Sequence, residues 1–148
     1  MKETRTWDGT PIADDDPKGA SVIVYRFGEG TCHVLLLHRA AFGPDYEGDW
    51  AWTPPSGARQ PGEDPEEGAL RELKEESGLD GHLRMTECGS EAWHVYALEV
   101  AVEEEVVLVD PEHDRFEWVE IDAAIERCAP MIVSDQLRRF RQWVETGE

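Results

Sequence analysis

A chain of 148 residues is sized for one domain, and its 33 acidic residues against 14 Lys and Arg leave a formal charge of −19. Such a charge repels bare polyanions, so no nucleic-acid partner is expected, and a phosphate-bearing ligand would need cations as intermediaries. With 40% hydrophobic residues the chain can build a core. Its longest apolar runs, 21–25 and 34–37, fall far short of the roughly 20 residues that span a bilayer, so no membrane span is expected either.

Residues 1–19 are expected to form a polar, partly ordered lead-in, carrying Asp14, Asp15 and Asp16. It lacks the basic start and apolar stretch of a secretory signal, which points to a cytoplasmic protein. The three aspartates also lack the alternating ligands and glycine of a calcium loop. A single domain is expected over 20–148. Ser21 to Tyr25 and His33 to His38 predict two strands, split by a turn at Gly28-Glu29-Gly30. The stretch 42–65, rich in Gly, Pro and Trp, predicts loop, with Trp50 and Trp52 suited to a short strand. A helix is predicted over 66–77, with Asp64 as cap, Pro65 in its first turn and Gly78 ending it. Further strands are predicted at 82–85, 93–102 and 115–121, the last leading through Asp122 into a short helix over 123–128. Ser134 is expected to cap a final helix, with Leu137, Phe140 and Val144 on one face and Arg138, Arg139 and Arg141 elsewhere. Interleaved strands and helices predict an α/β sandwich with a mixed sheet. Cys32, Cys88 and Cys128 are far apart and fit reduced thiols.

At about 100° per residue, Glu72, Glu75 and Glu76 project within one arc of the predicted helix. Three like charges there oppose folding unless something positive lies among them. Carboxylate oxygens without Cys or His suit Mg²⁺ or Mn²⁺ rather than zinc. Ala69, Leu70 and Leu73 form the apolar face that would pin the helix to a sheet, and Arg71, one turn before Glu75, can orient it.

The wider pattern is Gly57, five residues, Glu63, seven residues, then Arg71-Glu-Leu-Lys-Glu-Glu-Ser-Gly-Leu79. It resembles the box of the Nudix hydrolases at every fixed position, and the resemblance extends through Trp52-Thr-Pro-Pro-Ser-Gly57 and Arg115-Phe-Glu-Trp-Val-Glu120. It implies a loop, helix, loop motif in an α/β/α sandwich, and Mg²⁺-dependent hydrolysis of a nucleoside diphosphate linked to another group by water attack at phosphorus. It further implies Glu72, Glu75 and Glu76 as metal ligands, Glu63 as a supporting or additional carboxylate, and Arg71 as the partner of Glu75. The proton acceptor is either a box glutamate or a carboxylate on a distant loop. Glu112, in Asp110-Pro-Glu-His-Asp-Arg115, is the candidate there, ahead of His113.

Arg39 and Arg59 have the planar forks that grip phosphate oxygens, and Trp50, Trp52 or Tyr96 could stack a base, although an aromatic in a strand or a loop beneath a core more often packs. Tyr96 lies 96 − 79 = 17 residues beyond Leu79, near where a tyrosine occurs in Nudix enzymes of the dinucleoside polyphosphate type. The proline that marks the ADP-ribose group is missing. Dinucleoside polyphosphates or nucleoside triphosphates therefore lead as the small-molecule partner. An ADP-sugar, or a non-catalytic nucleotide sensor working through the arginine-bearing last helix, remain as alternatives, and a homodimer stays open.

Overall fold

Both long N-terminal strands are apolar on both faces, and the computed structural model, which describes residues 11–146, shows why: the sheet they form is covered on each side. The elements run β1 (Gly19–Gly28), β2 (Thr31–Arg39), β3 (Trp52–Thr53), β4 (Ser56–Ala58), α1 (Pro65–Ser77), β5 (Arg84–Met85), β6 (Trp93–Glu99), β7 (His113–Glu120), α2 (Ile121–Arg127) and α3 (Met131–Thr146). β1 pairs antiparallel with β2 and parallel with β6, so the sheet is mixed. Ala20, Val22 and Val24 of β1 join Leu35 and Leu37 of β2 in a core that takes Ala69 and Leu73 from α1. The alternate residues Ile23, Tyr25, Val34 and Leu36 meet Ala124, Ile125, Leu137 and Phe140 from α2 and α3. Period-two alternation thus makes one sheet serve two cores, an α/β/α sandwich.

β1 and β2 stay paired only from Tyr25↔Val34 to Gly28↔Thr31. Beyond that they diverge, and the opening is filled by β3 on β2 and β4 on β1. β7 adds to the other side of β2. The short strands β3 and β4 frame a loop whose following residues lead into α1, so the divergence carries the loop from the sheet to the helix.

The expected lead-in falls partly on residues 1–10, which lie outside the described residues. Residues 11–18 are tied to the loop after β4: the Ala13 N–H donates to the Arg59 carbonyl and the Arg59 N–H to the Lys18 carbonyl. The last helix differs from expectation. α3 opens at Met131 directly after Pro130, and Ser134 sits inside it with its hydroxyl donating to the Met131 carbonyl. A serine within a helix has this backward bond as its alternative to capping. α2 likewise starts earlier than expected, at Ile121, where the Glu120 carboxylate caps it by accepting from the Asp122 and Ala123 amides. The three cysteines are free thiols.

Phe140 is fully buried between α3 and the sheet, edge-on to Tyr25 with centroids 5.1 Å apart. Phe140→Ala is expected to cost about 3–5 kcal/mol, read from the midpoint of denaturant unfolding; a shift near zero would place this residue outside the core.

Candidate functional site

α1 begins where its caps dictate. The Asp64 carboxylate accepts from the Glu66 and Glu67 amides, Pro65 occupies the first turn, and Gly78 closes the helix at φ 73° with its N–H on the Lys74 carbonyl. Ala69 and Leu73 pin one face to the sheet. That anchoring fixes the direction of the acidic face, one residue round the helix at a time. Glu76 is 1% exposed, Glu72 is half-buried, and the Glu75 side chain is 51% exposed.

Two glycine-bearing turns receive these carboxylates. A Cβ on Gly57 would lie 2.2 Å from the carboxyl carbon of Glu72, so only glycine leaves room for that side chain. One residue earlier, the Ser56 N–H donates to Glu76 Oε1 at 2.8 Å. The other oxygen, Glu76 Oε2, is buried with no partner among the described residues. Burial above all, then the charges of Glu112 and Glu72, pushes the Glu76 carboxyl well above the usual range. Burial also raises Glu72 to about 7, against the pull of Arg71 and with the push of Glu75 and Glu112.

Arg71 is the hub that holds the group. Its Nε and Nη2 donate to the two oxygens of Glu63 at 2.8 and 3.0 Å, Nη1 donates to Glu72 Oε1 at 2.9 Å and to Glu75 Oε2 at 3.3 Å, and Nη2 reaches the Ala58 carbonyl at 3.1 Å. Five acceptors meet the five donors of one guanidinium. The expected Arg71–Glu75 link is the longest of these contacts; the bidentate partner is Glu63. With both oxygens on Arg71 and one also accepting from the Gln60 N–H, Glu63 is committed to supporting Arg71.

The segment before β7 completes the cluster. Ligand atoms of Glu76, Glu112 and His113 lie within 4.8 Å of one another. The Ala40 N–H donates to the Glu112 carbonyl, and the Glu112 N–H to Asp110 Oδ1, which anchors this segment to the end of β2. Burial, reinforced by Arg39, lowers His113 to about 4, so the imidazole is neutral, with Nδ1 unpartnered among the described residues. Burial raises Asp110 as well. Sequence reasoning ranked His113 below Glu112 and passed over Asp110; the Asp-x-Glu-His spacing was the available signal.

The other expected binding residues divide. Arg39 stands beside His113 across a β-bulge, and its guanidinium has no hydrogen bond to a described residue, leaving its donors for a ligand. Arg59 is corrected: it is buried, with Nε on the Pro17 carbonyl, Nη1 on the Glu63 carbonyl and Nη2 on Asp15 at 2.6 Å, so its fork grips the chain itself. Tyr96 is corrected too. At 3% exposure it packs beneath α1 with Ala69 and Leu73, where no base can reach its ring. Trp52 is buried against His38, while Trp50 is exposed.

The donors gathered here are carboxylate oxygens and one neutral imidazole, a set that fits a hard divalent cation. The orphaned, buried Oε2 of Glu76 is the atom whose environment is least tolerable without one.

Comparison with known proteins follows the same lines. Residues 16–144 match the NUDIX domain family. The chain is 31% identical over 134 residues to a bis(5′-nucleosyl)-tetraphosphatase [asymmetrical] of Caenorhabditis elegans, covering 83% of this chain and 93% of that one. Among solved structures it resembles a C. elegans Ap4A hydrolase binary complex, with a TM-score of 0.70 and 26% identity over 86% of this chain and 97% of that chain. A Nudix hydrolase from M. smegmatis shares the fold, with a TM-score of 0.68 and 22% identity over 98% of this chain and 95% of that one.

Carboxyls held above their unfolded value near 4.5 favour folding while protonated, and that advantage is lost as pH rises from about 4.5 to the folded value, about 7 for Glu72, with Glu76 raised in the same direction. His113, lowered from 6.5 to about 4, works in the opposite sense, but only below about 6.5. Metal-stripped protein is therefore expected to lose thermal stability between pH 6.5 and 7.5. Glu76→Gln should flatten that slope, and a divalent cation should raise Tm more at pH 7.5 than at 6.5. A stripped protein equally stable at both values, with no gain from the cation, would contradict the clustering.

Proposed function

This chain belongs to the Nudix family and is a pyrophosphohydrolase of that kind, and we propose that it uses Mg²⁺ to hydrolyse dinucleoside polyphosphates into two unequal nucleotides. The observation that carries the reading is the buried Oε2 of Glu76, without a hydrogen-bond partner among the described residues, on a side chain clustered with Glu112 and His113 in a chain of net charge −19. Carboxylates forced together at that cost fit a role in which their negative charge is needed. Glu72, Glu75 and Glu76 would hold the cation, with Glu112 completing the set. When bound, the cation screens the polyphosphate and lowers the pKa of water.

The residues of the chain do the rest. Arg71 keeps Glu72 and Glu75 in place and is itself braced by Glu63. Arg39, with unused donors beside the carboxylates, would take phosphate oxygens in its fork. Glu112, on the segment before β7, is the acceptor for the proton of the attacking water, and His113, clustered with it and Glu76, is held neutral by burial. Hydrolysis of diadenosine tetraphosphate balances as one water added and ATP plus AMP released. Support for this substrate comes from the C. elegans tetraphosphatase, the relative at 31% identity. The three free thiols fit a reducing compartment such as the cytoplasm.

Incubation with diadenosine tetraphosphate and Mg²⁺, with products identified by mass, should yield ATP and AMP. Glu76→Gln and Glu75→Gln should each lower kcat by about 10²-fold or more while the circular dichroism spectrum is retained. Full turnover in both variants would overturn the reading.

A further inference from the structure

His38 lies next to the end of β2 with no exposed surface, and both of its ring nitrogens face acceptors. Nδ1 is 2.8 Å from Asp114 Oδ1, and Nε2 is 2.6 Å from the Tyr46 carbonyl oxygen. A carboxylate and a carbonyl only accept, so both short contacts are hydrogen bonds at once when the ring carries two protons. Arg115 Nη1, 3.2 Å from Nδ1 and 3.2 Å from Asp114 Oδ1, then donates to the carboxylate. We propose that His38 is a positioning residue of the reaction, its doubly donating ring tying the loop 40–51 and the Glu112-bearing segment to β2; the inference rests on the pyrophosphohydrolase reading above.

What the ring ties is the first argument. Tyr46 belongs to the connection between β2 and β3, and Asp114 stands two residues after Glu112. The two residues that follow His38 continue the same link: the Arg39 N–H donates to the Ala51 carbonyl and the Ala40 N–H to the Glu112 carbonyl. Three consecutive residues thus hold the loop and the proton acceptor's segment to one strand end.

Register is the second. Arg115 stands opposite His38 and His113 opposite Arg39, which leaves Asp114 as the extra residue of a bulge. A bulge re-aims a side chain. Here the Asp114 carboxylate comes to the His38 ring, while its neighbour His113 joins Glu76 and Glu112. A displacement of Asp114 is therefore passed directly to the cluster.

Surroundings are the third. Trp52 packs edge-on to the ring, centroids 4.8 Å apart, and its Nε1 donates to Glu47 Oε1 at 2.9 Å. Glu47 Oε2 lies 3.8 Å from His38 Nε2 and 3.5 Å from Arg115 Nη2. Two carboxylates and one guanidinium close a network around the ring, and a buried network with its members satisfied fixes one geometry.

Native-state hydrogen exchange and steady-state kinetics on the full chain test this. His38→Gln turns an amide oxygen towards one of the two acceptors; Asp114→Ala removes an acceptor at a partly exposed position, and Asp114→Asn keeps one. In His38→Gln and Asp114→Ala the Ala40 amide is expected to exchange about tenfold faster. In both, kcat should fall about tenfold with KM changed less, while Asp114→Asn stays close to the parent in exchange and kcat. Unchanged exchange in the two disruptive variants, faster exchange without loss of kcat, or Asp114→Asn as impaired as Asp114→Ala would each overturn the proposal. A parent chain without turnover would sink the hydrolase reading, whereas exchange at Ala40 decides the tie by itself.

Discussion

One buried carboxyl governs the site. Glu76 is almost completely shielded from water, yet among the described residues only one of its oxygens is satisfied, by the amide of Ser56. Burying a charge without a partner costs far more than a surface ion pair returns, and that cost pushes the carboxyl pKa upward and favours its neutral form until a cation reaches it. Leu73, with no exposed surface in the neighbouring core, is what enforces the arrangement. The helix cannot rotate to bring Glu76 into water without lifting Leu73 and Ala69 off the sheet. Hydrophobic packing thus holds in place an electrostatic arrangement that is unfavourable on its own.

Arg71 answers a different need. A lone arginine among four glutamates could collapse onto any of them and neutralise the site. Here its fork is divided: Glu63 takes Nε and Nη2 bidentately, Ala58 takes part of Nη2, and only Nη1 turns to Glu72 and Glu75. The strongest pairing therefore falls on Glu63, whose carboxylate is held low by that contact, while Glu76 has no contact with the guanidinium among the described residues. The guanidinium is thus spent on the outer carboxylates, and the oxygens of Glu76 are left for another cation. Gly57 and Gly68 make this possible, since a Cβ at either position would strike Glu72 or Glu63.

Local signals announced the parts of the fold that local physics decides. Asp64, Pro65 and Gly78 bounded α1 from the sequence, and the spacing of Glu72, Glu75 and Glu76 placed them on one face, because caps and helical period depend on neighbours in the chain. What the spacing left open was rank: burial puts Glu76 inside and Glu75 outside, a result of where the sheet lies. Arg59 and Tyr96 went astray for the same reason. A fork and a phenol ring look the same in sequence whether they face a ligand or the protein, and here Asp15 with Pro17, and Ala69 with Leu73, claimed them. The start of α3 was hidden because its first turn, Met131 and Ile132, carries no polar cap for a sequence pattern to find.

The exposed apolar first turn of α3 lies on the opposite face of the sheet from α1. The α1 face gathers charge, and the α3 face beside the same β4 residue gathers aromatic surface and an uncharged cavity. The divergence of β1 from β2, filled by β3 and β4, supplies the edge at which the two faces meet. Placing Ser56 at that edge lets one backbone amide steady the central carboxylate while its neighbours shape the cavity.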